Sequence, residues 1–294
     1  MWAVPVAVLS LVVAGCTSTG SGGTGKVQAT GETYPLSWII SAVGGDRVSV
    51  NTLVAPGSEP HGYELSPQQV TALGRSDLVV YVRTLATAVD DAVKAEPPKS
   101  AIDLTTVLPT RPAVAQSGVS GAGGIDPHLW LDPAPMPKVV DAVASQLSTL
   151  DPSGTSVYKA NATALDARFA TLASDYTRGL ASCATTTLVV THPAFGYLTD
   201  QYHLTEVGVS GVDEDTEPSP ARLVEVEKIA RAAKVSTVFY GDTSNPKIAQ
   251  VIASSIGART AELAVLESSA PAGEDYFTAL QHNLATLKSG LGCS

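Results

Sequence analysis

Three histidines stand in proline-flanked corners of this 294-residue chain. They are His128 in DPHLWLDP (126–133), His61 in EPHGYELSP (59–67) and His192 in VVTHPAFGYL (189–198). Imidazole is both a proton carrier near neutral pH and a common metal ligand. Proline restricts φ at its own position and drives the preceding residue toward extended geometry, so each ring leaves a stiff turn. Asp126 and Asp132 flank His128, and Glu64 follows His61; a carboxylate so placed can accept a ring N–H and orient a ligand, or simply cap a turn. One such histidine reads as a structural residue of a Pro-rich turn. Three, from three separated loops, become a ligand set if the loops meet across a cleft. Three imidazoles plus one carboxylate make a tetrahedral donor set suited to zinc, although spacings this long are not diagnostic by themselves. The other two histidines read as structural: His282 lies off the stripe Phe277, Leu280, Leu284, Leu287, Leu291 and faces solvent, and His203 opens a strand.

Bringing those loops together requires a rigid scaffold, and the pattern of the chain predicts an α/β one. Short apolar strands are expected at 26–30, 48–54, 78–82, 101–104, 187–191, 204–209, 235–240 and 259–265. Between them fall amphipathic helices at 34–43, from the Ser66/Gln69 capping box, at 85–95 and 136–150, from Pro193, from Ser219-Pro220, from Asn245-Pro246 to Gly257, and from Asp275. Alternation of this kind predicts parallel sheets covered on both faces. A further helix from Pro152 to about Ala181 carries a continuous stripe, Tyr158, Leu165, Phe169, Leu172, Tyr176 and Leu180. The expected architecture is therefore two lobes, each a parallel sheet flanked by helices, joined by a long rigid helix. The divisions are an N-terminal lobe at 27–150, a linking helix at 151–181 and a C-terminal lobe at 182–294. Ligands of such folds bind at the carboxyl ends of strands, here between the lobes. Residues 110–125 lack periodicity and read as a mobile loop.

Composition narrows the partners. With 44% hydrophobic and 16% charged residues the chain is globular, and its net charge of −10 with no basic patch argues against nucleic acid. Residues 1–16, MWAVPVAVLSLVVAGC, read as a signal peptide too short to span a bilayer. Its end, Val13-Ala14-Gly15-Cys16, resembles a bacterial lipobox with Cys16 as the lipidated residue, and 17–26 forms a Gly/Ser/Thr-rich flexible tether. No Lys or Arg precedes the apolar run, which leads one to expect a start further upstream. In an exported protein the remaining pair, Cys183 and Cys293, reads as a disulfide.

The segments HGYELSPQQVTAL, DPHLWLDP, THPAFGYLTDQYHL and EPSPARLVEVEKIARAAKVSTVFYGDTSNPKIAQVIASSIGA, in that order, resemble the zinc/manganese-type solute-binding proteins of ABC transporters, over about residues 27–292. The resemblance implies a lipid-anchored extracytoplasmic receptor. It would bind a metal between its lobes through His61, His128 and His192 and deliver it to a membrane ABC permease, without chemistry of its own. Manganese-type members often carry Glu at the third position; His192 there favours Zn²⁺ over Mn²⁺. The family's fourth ligand is usually an Asp after the last strand. AELAVLESSAP has none, so Glu267 is the candidate, with Asp242 in FYGDTSNPK, or water, as alternatives. Residues 110–125 also lack the His-rich acidic loop of many zinc-specific relatives, so a metallochaperone becomes a conceivable donor. A monomer is expected. Competing readings are a manganese receptor, a metal-independent adhesin, and a zinc hydrolase with an open fourth position; against the last, there is no HExxH helix and no evident base.

Overall fold

The computed structural model describes residues 25–113, 124–210, 218–241 and 246–294. The lipobox cysteine Cys16, most of the tether, and the alternative ligand Asp242 lie outside the described residues. No helix among the described residues is long and apolar enough to cross a membrane.

The first half interleaves β1 (Val27–Gly31), α1 (Tyr34–Gly44), β2 (Val48–Thr52), α2 (Pro67–Arg75), β3 (Leu78–Tyr81), α3 (Thr87–Ala95), β4 (Ala101–Asp103) and the single turn α4 (Leu104–Val107). α2 begins at a capping box: the Ser66 hydroxyl accepts from the Gln69 N–H while the Gln69 side chain accepts from the Ser66 N–H. All pairings are parallel and the strand order is β2-β1-β3-β4. Leu78, Val79 and Val80 of β3 are wholly buried, as a strand covered on both faces requires.

Two helices follow, α5 (Met136–Leu150) and α6 (Thr155–Gly179), with a 3-10 turn at Pro152–Gly154 between them. The α-helix proper is thus 25 residues, shorter than the span expected from the stripe. At ~1.5 Å per residue that is still about 37 Å. Its buried residues Tyr158, Ala162, Leu165, Phe169, Leu172, Tyr176 and Gly179 alternate steps of four and three, a single face. That face packs on α1 and α5 in the first half and on the C-terminal helix in the second.

The second half repeats the scheme with β5 (Thr187–Val190), α7 (Gly196–Gln201), β6 (Thr205–Gly208), α8 (Pro220–Ala232), β7 (Thr237–Gly241), α9 (Pro246–Ile256), β8 (Arg259–Leu263) and α10 (Tyr276–Leu291). Its order, β6-β5-β7-β8, is also all parallel and matches the first sheet position for position. The helix expected from Pro193 starts three residues later. The Ala194 N–H closes a tight turn on the His192 carbonyl at 3.0 Å, and the Phe195 N–H is taken by the Glu206 carboxylate at 2.8 Å. His203 does not open a strand: it sits at φ 57 in the turn before β6, a conformation histidine tolerates better than most residues.

One continuous apolar core runs from α1 and the first sheet through α5 and α6 to α10 and the second sheet. The Phe169 ring lies 6.1 Å from that of Tyr276 and 5.8 Å from that of Phe277, and the Tyr176 hydroxyl donates to the Leu280 carbonyl at 2.7 Å. Cys183 and Cys293 are joined in a disulfide that fastens the end of α10 to the segment entering β5. The two halves are therefore braced by shared packing and not by the linking helix alone.

Candidate metal centre

Four side chains converge from four loops. His61 follows β2, His192 follows β5 and Glu267 follows β8, each beyond the carboxyl end of its strand; His128 precedes the 3-10 turn Leu129–Leu131 that leads toward α5. The loop of His61 is held by Val54 N–H to the Glu32 carbonyl (3.0 Å) and by Gly57 N–H to the Ser268 hydroxyl (3.0 Å). The residue before Glu267, Leu266, adopts φ 63, an uncommon conformation for a bulky side chain. Strained backbone of this sort gathers where the surroundings demand one orientation of a functional group.

Each imidazole presents Nε2. Those of His61 and His192 lie 3.2 and 3.1 Å from that of His128, and Glu267 Oε1 lies 3.2 Å from His61, 3.2 Å from His128 and 3.5 Å from His192. A tetrahedral zinc ion with bonds of about 2.0–2.1 Å needs ligand atoms about 3.3–3.4 Å apart. These five edges, 3.1–3.5 Å, match those of that tetrahedron, and the sixth, between His61 and His192, lies within 4.8 Å. His128 is 0% exposed, Glu267 1% and His192 2%, whereas His61 retains some exposure at the edge of the group.

The electrostatics suit a cation. Burial alone would push the Glu267 carboxyl up, but the three imidazoles facing it hold it well below the usual carboxylate range. Burial would likewise depress His128, yet bonds to Asp126 and Glu267 outweigh it and push the imidazole up to about 10. His61 is lowered, chiefly by burial. Without a metal the centre thus holds a proton on His128, which a cation would displace.

Asp126 Oδ1 accepts from His128 Nδ1 at 2.9 Å and from the His128 N–H at 3.1 Å, the geometry that presents Nε2 to the other three groups. The other flanking carboxylates are placed differently. Asp132 accepts from the Ala134 N–H at 3.0 Å, shaping the turn before α5, and burial raises its pKa to about 6. Glu64 is exposed, and among the described residues it bonds no imidazole. His282 is exposed and pairs with Glu274 at 2.9 Å, away from the centre. Three further side chains bond the segments that carry His128 and Glu267: Arg111 Nη1 lies 3.2 Å from Asp126 Oδ2, the Tyr197 hydroxyl donates to the Asp126 carbonyl at 2.7 Å, and the Trp130 indole donates to the Val265 carbonyl at 2.9 Å. All act through contacts between residues far apart in the chain, which no local pattern encodes.

Comparison with known proteins gives a consistent result. The family model for the zinc-uptake complex component A, periplasmic (ZnuA), matches residues 30–290. The zinc-binding lipoprotein AdcA of Streptococcus pneumoniae is 30% identical over 279 residues, which cover 90% of this chain and 56% of that protein. The high-affinity zinc uptake system protein ZnuA of Bacillus subtilis is 27% identical over 314 residues, covering 97% of this chain and 96% of the other. The structure resembles the Zn(II)-bound ZnuA-like domain of Streptococcus pneumoniae AdcA with a TM-score of 0.76 at 29% identity, over 91% of this chain and 99% of that one. The chain spans about half the length of the AdcA relatives, 56% of each.

Proposed function

The chain belongs to the ZnuA family of zinc-uptake components, and from that premise we propose that it is a solute-binding lipoprotein that captures Zn²⁺ between its lobes and delivers it to an ABC permease. The observation that carries this reading is the set of four ligand atoms, within 4.8 Å of one another, contributed by His61, His128, His192 and Glu267. In this reading Glu267, not water, completes the shell, and Asp126 orients His128. A donor set with three nitrogens and one oxygen favours zinc over manganese. The filled fourth position also speaks against a hydrolase, which keeps that position for water.

Around the site, we assign residues 27–150 and 182–294 to the two lobes and 151–181 to the helix between them. Cys16 would carry the lipid that keeps the protein on the outer face of the cytoplasmic membrane, with 17–26 as tether; the lipobox-like sequence and a relative described as a lipoprotein support this. A monomer fits a single centre built from one chain. A metallochaperone is the donor suggested by the lack of histidine in residues 110–125.

Chelator-competition titration of the metal-free mature chain with Zn²⁺ and Mn²⁺ tests the reading. One tight zinc site, weaker for manganese and weakened by Glu267→Ala, is expected. Equal or tighter manganese binding would transfer the function to manganese, and tight zinc indifferent to Glu267→Ala would remove Glu267 from the shell.

A further inference from the structure

Arg111 sits between the loop that carries His128 and helix α7 of the other half. Its Nη1 donates to Asp126 Oδ2 at 3.2 Å, and its Nε meets Asp200 Oδ2 at 2.9 Å. The backbone around it is bonded in the same sense. The Arg111 N–H donates to the Tyr197 hydroxyl at 3.2 Å, that hydroxyl donates to the Asp126 carbonyl at 2.7 Å, and the Asp126 N–H donates to the Arg111 carbonyl at 3.0 Å. Asp126 therefore divides its carboxylate: Oδ2 faces the guanidinium and Oδ1 faces the His128 imidazole.

Room for this arrangement exists because residue 196 has no side chain. A Cβ on Gly196 would lie 1.3 Å from Arg111 Nη1 and 2.6 Å from Asp126 Oδ2. Gly196 is not among the glycines with positive φ, so the backbone itself does not require glycine there. What requires it is the guanidinium. Arg is also the side chain suited to bridge two carboxylates at once, through a rigid fork of donors; lysine offers a point charge.

We propose that Arg111 is a positioning residue of the metal centre, fixing Asp126 against His128 and fastening the His128 loop to α7 through Asp200 and Tyr197, so that it controls how long a bound ion is retained. The inference rests on the zinc reading of the site. Asp126 is 4% exposed, so without the guanidinium its carboxylate loses a buried charge partner and the His128 ring loses the support behind it. Residues that orient a metal-bound histidine in this way are worth about 10–100-fold in metal affinity.

The test measures zinc release from the full mature chain after mixing with excess chelator, alongside thermal melting without metal. Arg111→Ala is expected to release zinc about 10–100-fold faster. Gly196→Ala, which leaves every charge in place but displaces the guanidinium, is expected to do the same, and the double variant to be no faster than either. Arg111→Lys should fall between Arg111→Ala and the unmodified chain. If Arg111→Ala does not fold, Gly196→Ala and Arg111→Lys carry the test alone. Zinc release at the unmodified rate by variants that melt normally would overturn the role of Arg111 and leave the zinc reading standing. Effects of the two substitutions that multiply would also overturn it, since Gly196 would then act independently of Arg111. No zinc retained by the unmodified chain would overturn the zinc reading and this inference together.

Discussion

The indole N–H of Trp130 donates to the carbonyl of Val265 at 2.9 Å, joining two positions 135 residues apart. Trp130 lies two residues after His128, and Val265 lies two residues before Glu267. One hydrogen bond thus sets the register of two of the four converging side chains. The Tyr276 hydroxyl adds a second tie to the Trp130 carbonyl, and Asn283 bonds both the N–H and the carbonyl of Ala264 at 2.9 and 2.8 Å. The loop of Glu267 is held from both sides before any metal arrives.

Trp130→Phe keeps most of the apolar body and deletes the donor. A lost buried hydrogen bond costs about 1–3 kcal/mol, so the metal-free protein should melt a few degrees lower. Zinc affinity should also fall, by about tenfold, because the two loops lose a common register. Calorimetric melting and competition titration on the same preparation check both. Lower stability with unchanged affinity would show that Tyr276 and Asn283 suffice to hold the register.

Zinc affinity should rise with pH. In the metal-free protein the His128 imidazole is pushed up to about 10, against burial, by Asp126 and Glu267, while His61 lies below its ordinary value because of burial. A ligand nitrogen must be free of its proton. Between pH 6.5 and 9, then, binding should release about one proton from His128, and the apparent affinity should gain about tenfold per pH unit. Below that range His61 protonates as well and the slope steepens. Titration calorimetry in buffers of different ionisation enthalpy counts the protons directly; an affinity that is flat from pH 7 to 8.5 contradicts the assignment.

Much of this centre was legible in the sequence, and the part that was not has a common physical origin. His61, His128 and His192 stand out because each sits beside a proline in a short turn-like motif, and the two-lobed α/β fold follows from strands such as 78–82 alternating with striped helices. Glu267 is a candidate only through the family resemblance, as the carboxylate nearest the place after the last strand where relatives usually carry Asp, with Asp242 or water as alternatives. The start of α7 was misplaced because Pro193 looks like a first helical residue, while the Glu206 carboxylate, eleven residues from Phe195, takes the N–H that would have begun the helix. Arg111 and Gly196 carry no signal at all, since their relation is a matter of space between residues 85 apart. Asp132 and Glu64 show the reverse error: adjacency to a histidine in sequence does not aim a carboxylate at its ring.

Buried Glu32 should make stability depend on pH in the opposite sense to zinc affinity. Burial, with Asp90 and Asp103 nearby, raises its carboxyl to about 8 even though it accepts a hydrogen bond from the Val82 N–H at 2.7 Å. A carboxyl raised above its unfolded value of 4.5 contributes stability that is complete below pH 4.5 and is lost as pH climbs through 8. The loss attributable to this group is on the order of 5 kcal/mol. Glu32→Gln, neutral at all pH, should match the unmodified chain near pH 5 and exceed it at pH 9 in denaturant melts of the metal-free protein. Parallel curves for the two proteins would mean that Glu32 ionises freely in the fold.

The disulfide joins residues separated by 110 positions, closing a loop that holds most of the C-terminal half. On the chain-entropy model a loop of that size is worth about 4–5 kcal/mol through restriction of the unfolded chain. Its sulfurs belong to the segment entering β5 and the end of α10, whereas the candidate ligands His192 and Glu267 lie beyond the opposite, carboxyl ends of β5 and β8. Reduction, or the pair Cys183→Ala and Cys293→Ala, should therefore lower the denaturation midpoint substantially while leaving zinc affinity within about threefold, because a constraint on the unfolded chain does not alter a folded site. Denaturant melts with and without reductant, paired with competition titration, separate the two effects. A large loss of zinc affinity in a folded, reduced protein would show instead that the C-terminal fastening helps to aim the ligands, by way of α10 and the Asn283 bonds to the Glu267 loop.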